Sequence, residues 1–414
     1  MKVFKFGGAS LKNATAIRNM ANIVKSFTGT PLLVVVSAMG KTTNALESVL
    51  NTFVKGGVYK SEVDAIKNYH FQICTELFSS PQEINNKLES IFDDLSKKIQ
   101  QPAHYDQVYD QVVSFGEVIS SVIVEQYLSS TGIQSTWIDA RKFILTDRTF
   151  REGKVQWNAT SELIQSLQPV LQQKVILTQG FIGASEDGLT TTLGREGSDF
   201  TAAIFASCLS AESVTIWKDV PGVMSADPKR LPTAMVFPEL PFKEAAEMTY
   251  YGASVIHPKT IQPLALKQIP LLVKSFDDPS LPGTKIHECH VDNLPPLIVF
   301  KENQCLVSCK VTDYTFVNEQ QLSAIFKALS DLDIKLNLMQ NSAISFSFCI
   351  DFRENKVMAL IDKLQNRFEV YYNTGLTLIT VKNYDEETFS TYRKKPGVMI
   401  EQSSRSTLQI LIKL

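Results

Sequence analysis

A mainly parallel α/β sheet between helices, followed by a smaller ferredoxin-like region, is the fold class that three features of the sequence predict. The first forty residues read strand, glycine turn, helix, strand, from VFKF at 3–6 to LLVVVS at 32–37. Strand-like and helical stretches then alternate as far as PLLVKSF at 270–276. Beyond HECHVDNLPPL, 287–297, the pattern shortens into a β-α-β-β-α-β order. With 414 residues, the chain has room for two or three domains.

In the opening unit, ATAIRNMANIVKSF (14–27) puts Ile17, Met20, Ala21 and Val24 on one helical stripe, and TGTP ends it. LLVVVS is apolar at every position, as a strand covered by helices on both faces requires. Residues 52–130 are mostly helical in pattern, including VVSFGEVISSVIVEQYLSS at 112–130. STWIDA (135–140) and KVILTQGFIGA (174–184) read as strands. After TTLGREGSD come a small-residue helix, FTAAIFASCLSA, and a strand, SVTIWK, that enters a Pro-Gly turn. FKEAAEMTYYGA (242–253) reads as a helix and PLLVKSF as the closing strand.

This places a first domain over residues 1–290 and a second region over 298–414, with the polar, proline-bearing 287–297 as linker. One clear module runs from 303 to 373. QCLVSCKV reads as a strand, EQQLSAIFKALSDLD (319–333) as a helix, and IKLNLMQ and AISFSFCID as strands. ENKVMALIDKLQNR is a second helix and FEVYY a final strand; TLITVK, VMIEQ and LQILIK add strand-like pieces.

Bulk properties exclude several classes. A net charge of -2, from 41 basic and 43 acidic residues, argues against a general affinity for nucleic acid or anionic membrane. No charged-then-apolar leader opens the chain, and no apolar run approaches the ~20 residues that span a bilayer. Six cysteines without C-x-x-C spacing fit a reduced, cytoplasmic protein. His287, Cys289 and His290 lie close together, but neighbours in a linker rarely all face one ion, so no protein metal site is expected.

Four stretches carry chemistry. In VFKFGGASL, Lys5 interrupts an apolar strand and needs a partner or a route to solvent. From the strand's end it can reach over Gly7 and Gly8 toward a phosphate at the next helix N-terminus; an edge-strand lysine beside a tight turn is the bland alternative. In TTLGREGSDFTAA (191–203), Gly194, Gly197 and Ser198 can form a backbone nest, with Arg195 and Asp199 supplying opposite charges. Asp199 could equally be an ordinary helix-capping acid. Two glycine-to-helix junctions with charges of both signs nevertheless suit the two ends of a polyphosphate. In WKDVPGVMSADPKR (217–230), Asp219 and Asp227 follow a strand's end, where an α/β fold opens its ligand crevice, though a solvated turn gives the same letters. In SFGEVISS (114–121), Glu117 falls inside an apolar helix and can meet a substrate ammonium, or lie on the surface. SAMGKTTNAL, 37–46, adds hydroxyls after a buried strand. His257 in VIHPKT reads as a helix-junction residue rather than a base.

Together these stretches resemble the aspartate kinases, members of the amino-acid kinase fold that phosphorylate the side-chain carboxylate of L-aspartate. KFGGAS, VVVSAMGKTTN, SFGE, WIDARK, TQGFIGA, TTLGREGSDFTAA, WKDVPGVMSADPK and GASVIHPKTI occur in the family's order over residues 3–262, and the tail resembles its ACT regulatory module. The resemblance implies ATP as phosphoryl donor, with Mg²⁺ carried mainly by its phosphates. Lys5 would contact the transferred phosphoryl group, and Asp199 would orient the catalytic lysines. Gly7, Gly8, Ser37 and Gly197 would surround the phosphates, with Asp219 and Lys229 on the nucleotide side. Arg195 and Glu117 would grip the carboxylate and ammonium ends of aspartate, with Thr43 and Phe181 beside them. Asn337, Gln340 and Asn341 would contact an amino-acid effector, lysine or threonine, in a homodimer or higher homo-oligomer.

The sequence departs from the family pattern at Ala9, usually a threonine, and at Met224 and Lys229, often tyrosine and arginine. It departs most at Ser254, usually a lysine that reaches the phosphates. The rivals are another amino-acid kinase of the same fold, such as an acetylglutamate-like enzyme, and a catalytically silent effector-binding subunit.

Overall fold

The computed structural model describes residues 1–253, 256–312 and 315–413, so Ser254 lies outside the described residues. The chain forms two compact units: 1–223, 236–246 and 254–291 in the first, and 224–235, 247–253 and 292–414 in the second.

In chain order the first unit's strands are β1 (Lys2–Phe6), β2 (Leu32–Val36), β3 (Ser135–Ile138), β4 (Leu145–Thr146), β5 (Val175–Gln179) and β6 (Ile182–Ser185). β7 (Thr190–Thr192), β8 (Ser213–Lys218), β9 (Glu239–Pro241), β10 (Leu271–Ser275) and β11 (Thr284–His287) follow. Its helices are α1 (Ala14–Lys25), α2 (Thr42–Val54), α3 (Lys60–Leu77), α4 (Gln82–Ile99), α5 (Tyr105–Ser130), α6 (Trp157–Gln165), α7 (Gln168–Leu171), α8 (Gly197–Cys208), α9 (Phe242–Tyr250), whose residues from 247 on are assigned to the second unit, and α10 (Pro258–Leu266).

Among the described residues the main sheet runs β3-β5-β2-β1-β8-β10-β11-β9, and β4-β6-β7 form a small second sheet. β1 lies at the centre, parallel to both β2 and β8. Every residue of β2 is buried, because helices cover both faces of a sheet built by β-α-β crossovers. Phe4, Phe6 and Trp217 interlock across β1 and β8, with the Phe6 and Trp217 rings stacked 6.0 Å apart. In α1, Ile17, Met20, Ala21 and Val24 are all buried as their spacing predicts, and Asn13 caps the helix by accepting from the Ala16 amide. His257 likewise caps α10.

KVILTQGFIGA divides between two sheets. Phe181 has φ of 70°, which turns the chain out of β5 and into β6.

The second unit contains β12 (Leu297–Val311), α11 (Glu319–Asp331), β13 (Leu336–Asn341), β14 (Ser345–Asp351), α12 (Glu354–Leu364) and β15 (Phe368–Lys382), then α13 (Glu386–Arg393), β16 (Val398–Ser403) and β17 (Thr407–Lys413). Its strands form an antiparallel sheet in the order β13-β14-β12-β15-β17-β16. FEVYY and TLITVK, separate in the sequence reading, are the two halves of β15. The intervening NTG looks like a turn, but Gly375 at φ 71° sits opposite register shifts in β12, so the ladder bulges and continues. The far halves of β12 and β15, with β17, β16 and α13, extend the sheet beyond the first β-α-β-β-α-β module. No helix among the described residues is long and apolar enough to cross a membrane.

Candidate active site

A cavity of about 590 Å³ opens at the C-terminal ends of β1, β2 and β8. Lys5 reaches it from β1 and is 9 % exposed. Its Nζ lies 2.6 Å from Oδ1 of Asp199, whose side chain is buried in the first turn of α8. Lys218, the last residue of β8, brings a second ammonium to 3.9 Å from the other Asp199 oxygen. One buried carboxylate therefore stands between two lysines at the positive end of a helix. Asp199 does not cap α8, whose N-cap is Glu196, so the capping alternative gives way to the charged one.

Glycines bring the walls together. A Cβ on Gly8 would lie 2.8 Å from the carbonyl oxygens of both Ala38 and Gly40. The bare backbone lets the loop after β1 touch the loop after β2, where the Gly40 amide donates to the Gly8 carbonyl. On Gly197 a Cβ would meet the Phe181 ring at 2.7 Å. Phe181 is held in its left-handed conformation by its own amide, which donates to Thr201 Oγ1 at 2.9 Å. Arg151 and Glu196 also line the cavity with positive φ, so strained backbone gathers here.

The opposite wall carries Thr43 and Asn44 from α2 and Glu117 from α5. Glu117 is 3 % exposed; Oε1 accepts from the Ala38 amide at 3.4 Å, and Oε2 has no hydrogen-bond partner among the described residues. Burial pushes its carboxyl up to about 8, against the smaller opposing effect of the Ala38 N–H. A buried acid with an unpaired oxygen facing a cavity is suited to receive a cationic group. Ser37 lines the same cavity, its carbonyl accepting from Ser120 Oγ on α5. Arg195 projects from the exposed loop before α8.

Of the residues singled out in the sequence, Lys5, Gly8, Ser37, Thr43, Glu117, Phe181, Arg195, Gly197 and Asp199 meet in this one cavity. Gly7 borders it through Lys5, whose Nζ would be 3.4 Å from a Cβ there. Asp219 lines a neighbouring cavity of about 450 Å³ with Ala9, Ser10, Phe276 and Asp277. Lys229 is exposed in a turn of the second unit, its amide donating to Asp227 at 2.9 Å, and it lines neither cavity. In the second unit, Asn337 donates to Gln304 and Asp351 and accepts from Lys301, whereas Gln340 and Asn341 are exposed on β13.

The sequence reading missed two participants. Lys218 carries the same signal as Lys5, a lysine near the end of an apolar strand. Arg151 had no local signal. Its backbone is placed by Asp110, a fully buried acid on α5 that accepts from the amides of Arg151 and Thr192 and from the Thr192 hydroxyl. The Arg151 guanidinium packs 4.1 Å over the Tyr109 ring.

The chain belongs to the amino acid kinase family, which it matches over residues 1–275. Within that family it stands with the aspartokinases. It is 34 % identical to lysine-sensitive aspartokinase 3 of Escherichia coli, over 84 % of this chain and 78 % of the relative. It is 29 % identical to the chloroplastic bifunctional aspartokinase/homoserine dehydrogenase 2 of Arabidopsis thaliana, of whose length it spans 42 %. Crystal structures of E. coli aspartokinase III, one in complex with lysine and aspartate (T-state) and one with aspartate and ADP (R-state), each superpose with a TM-score of 0.84. Both are 29 % identical, over 100 % of this chain and 96 % of theirs.

Proposed function

We propose that this chain transfers the γ-phosphoryl group of ATP to the side-chain carboxylate of L-aspartate, yielding 4-phospho-L-aspartate and ADP, the first step toward lysine, threonine and methionine. The observation that carries this reading is the Lys5–Asp199–Lys218 arrangement at the N-terminus of α8. The acceptor carboxylate is already ionised near neutral pH, so the reaction needs no strong general base. Among the described residues lining the cavity there is no histidine. One acceptor oxygen forms the new O–P bond while the bond from the γ-phosphorus to the bridging oxygen breaks, and ADP leaves with that electron pair.

What the site must supply is positive charge around spreading negative charge, and alignment. Lys5 and Lys218 provide two ammonium groups, held apart and aimed by Asp199. Gly8 and Gly197 let the loops after β1 and β2 and the Phe181 ring pack closely enough to shape the phosphate end of the cavity, the Gly197 amide itself donating to the Gly194 carbonyl, and Asp219 flanks the adjoining cavity on the nucleotide side. Glu117 receives the substrate ammonium, Arg195 the α-carboxylate, and Thr43 and Phe181 pack beside them. Asp199 is engaged by lysines and Glu117 is deeply buried, which fits a Mg²⁺ held chiefly by nucleotide oxygens rather than by a protein cage. When bound, that ion neutralises phosphate charge. The relative crystallised with aspartate and ADP supports the same ligand pair here.

The second unit is read as an ACT-type regulatory region over 298–414 that binds an amino-acid effector, lysine or threonine, in a homodimer or larger homo-oligomer. The relative crystallised with lysine supports this. Gln340 and Asn341 lie exposed on β13, which forms one edge of the sheet and leaves a strand for a second copy to pair with. Purified chain with L-aspartate, ATP and Mg²⁺ is expected to form a hydroxamate-trappable acyl phosphate, with inhibition by lysine or threonine. No acyl phosphate from a folded chain refutes the activity, and no response to either amino acid refutes the regulation.

A further inference from the structure

β9 and β11 close one edge of the main sheet, away from the residues that line the kinase cavity. Their parallel register sets Glu239 beside Lys285 and Pro241 beside His287. Side chains two residues apart along a strand share a face, so His287 falls on the face that Glu239 occupies. Cys289 follows two residues later. One ligand atom from each of Glu239, His287 and Cys289 lies within 4.8 Å of the others, and His287 Nε2 already touches Glu239 Oε1. Glu239 is exposed, while His287 and Cys289 are half-buried.

We propose that Glu239, His287 and Cys289 form a binding site for a borderline-soft divalent cation of the Zn²⁺ class, clipping β9 to the chain that leaves β11. A thiolate, an imidazole and a carboxylate are the donor set that Zn²⁺ takes, with water completing a tetrahedron, and differ from the all-oxygen shell of Mg²⁺. Bond lengths of about 2.0–2.3 Å require such ligand atoms to stand roughly 3.3–3.8 Å apart. The ligand atoms stand at most 4.8 Å apart, and His287 Nε2 and Glu239 Oε1 closer than two ligands of one ion, so binding asks for a rearrangement of up to about 1 Å in which that pair opens. The exposed Glu239 side chain supplies it by rotation. Around the thiol, the negative charges of Glu239 and Glu288 outweigh the opposing positive charge of Lys285, which favours a cation there. Binding releases the Cys289 thiol proton to solvent and involves no change of oxidation state. The sequence brings His287, Cys289 and His290 together, but the third ligand comes from Glu239, 48 residues before His287 in the chain.

Cobalt(II) makes the test specific. The other five cysteines are buried, so a thiolate-to-cobalt charge-transfer band in the folded protein reports Cys289. Chelator-stripped, reduced full-length chain is titrated with Co²⁺. The expected band saturates at one equivalent and is displaced by Zn²⁺ but not by Mg²⁺. Cys289→Ser abolishes it, and His287→Ala and Glu239→Ala weaken Co²⁺ binding by at least about tenfold. Circular dichroism establishes that each variant is folded. A folded wild-type chain without the band overturns the site, as do a band that survives Cys289→Ser and ligand variants that bind like wild type. Kinase activity is a separate readout, so failure here leaves the proposed reaction standing.

Discussion

Replacing Glu117 by glutamine keeps the shape of a buried side chain and removes its ionisation. In the free protein burial pushes this carboxyl from 4.5 up to about 8. At ~1.4 kcal/mol per pH unit, that corresponds to about 5 kcal/mol between charged and neutral forms. A substrate ammonium binds the charged form, so in the wild type aspartate must displace a proton from Glu117 below pH 8. The KM for aspartate is therefore expected to fall by up to about fiftyfold between pH 6 and pH 8 and then level off. In Glu117→Gln that dependence disappears and KM stays high throughout, with kcat changed far less. The same linkage acts on folding. Because the folded-state value is raised, the neutral carboxyl favours the folded chain fully below pH 4.5, and that contribution is lost as pH rises to about 8. Glu117→Gln is thus expected to be more thermostable than wild type above pH 8, by a margin that shrinks toward pH 5. Initial-rate kinetics and thermal melts over pH 5–9 measure both effects. A wild-type KM flat across this range, or a glutamine variant that keeps the slope, refutes the reasoning.

Three further outcomes are expected. Lys218→Met should lower kcat/KM for ATP by about 10²–10³-fold while leaving the melting temperature nearly unchanged, as steady-state kinetics and calorimetry can check; activity within twofold of wild type removes Lys218 from the phosphate-binding role. Gly8→Ala forces a methyl against two carbonyl oxygens at 2.8 Å and should destabilise the chain by about 1–3 kcal/mol in denaturant titrations, with loss of activity. Asp110→Asn turns part of an acceptor-only group into a donor facing three donors, and should destabilise the chain by about 1–3 kcal/mol in denaturant titrations by leaving donors of Arg151 and Thr192 unpaired.

How much was legible differs by residue. Lys5, Gly8, Gly197 and Asp199 were visible because a lysine in an apolar strand and glycines before helices carry a local cost that only a local use offsets. Lys218 carries the same mark, but Asp219 beside it is an equally local charge and nothing along the chain ranks the two. Arg151 and Asp110 had none: Asp110 is one acid on a buried helix, and its meaning depends on amides 41 and 82 residues away. The join of FEVYY to TLITVK was hidden because a glycine at positive φ serves a turn and a bulge equally well.

Periodicity, glycine placement and the charge of single residues, all properties of neighbours along the chain, were enough to determine the α/β class and the charged end of β1, but not that residues 224–235 and 247–253 join the second unit. Tertiary structure alone decided which distant groups share a space. Lys5 and Lys218 stand on adjacent parallel strands, yet 213 positions separate them, and only the β1–β8 register brings both to Asp199. The same holds for Glu117, whose raised carboxyl follows from burial against the Ala38 loop. Desolvation and ion pairing depend on what surrounds a group in three dimensions, and a helix of α5's length can turn a glutamate to water or to a cavity without changing a letter.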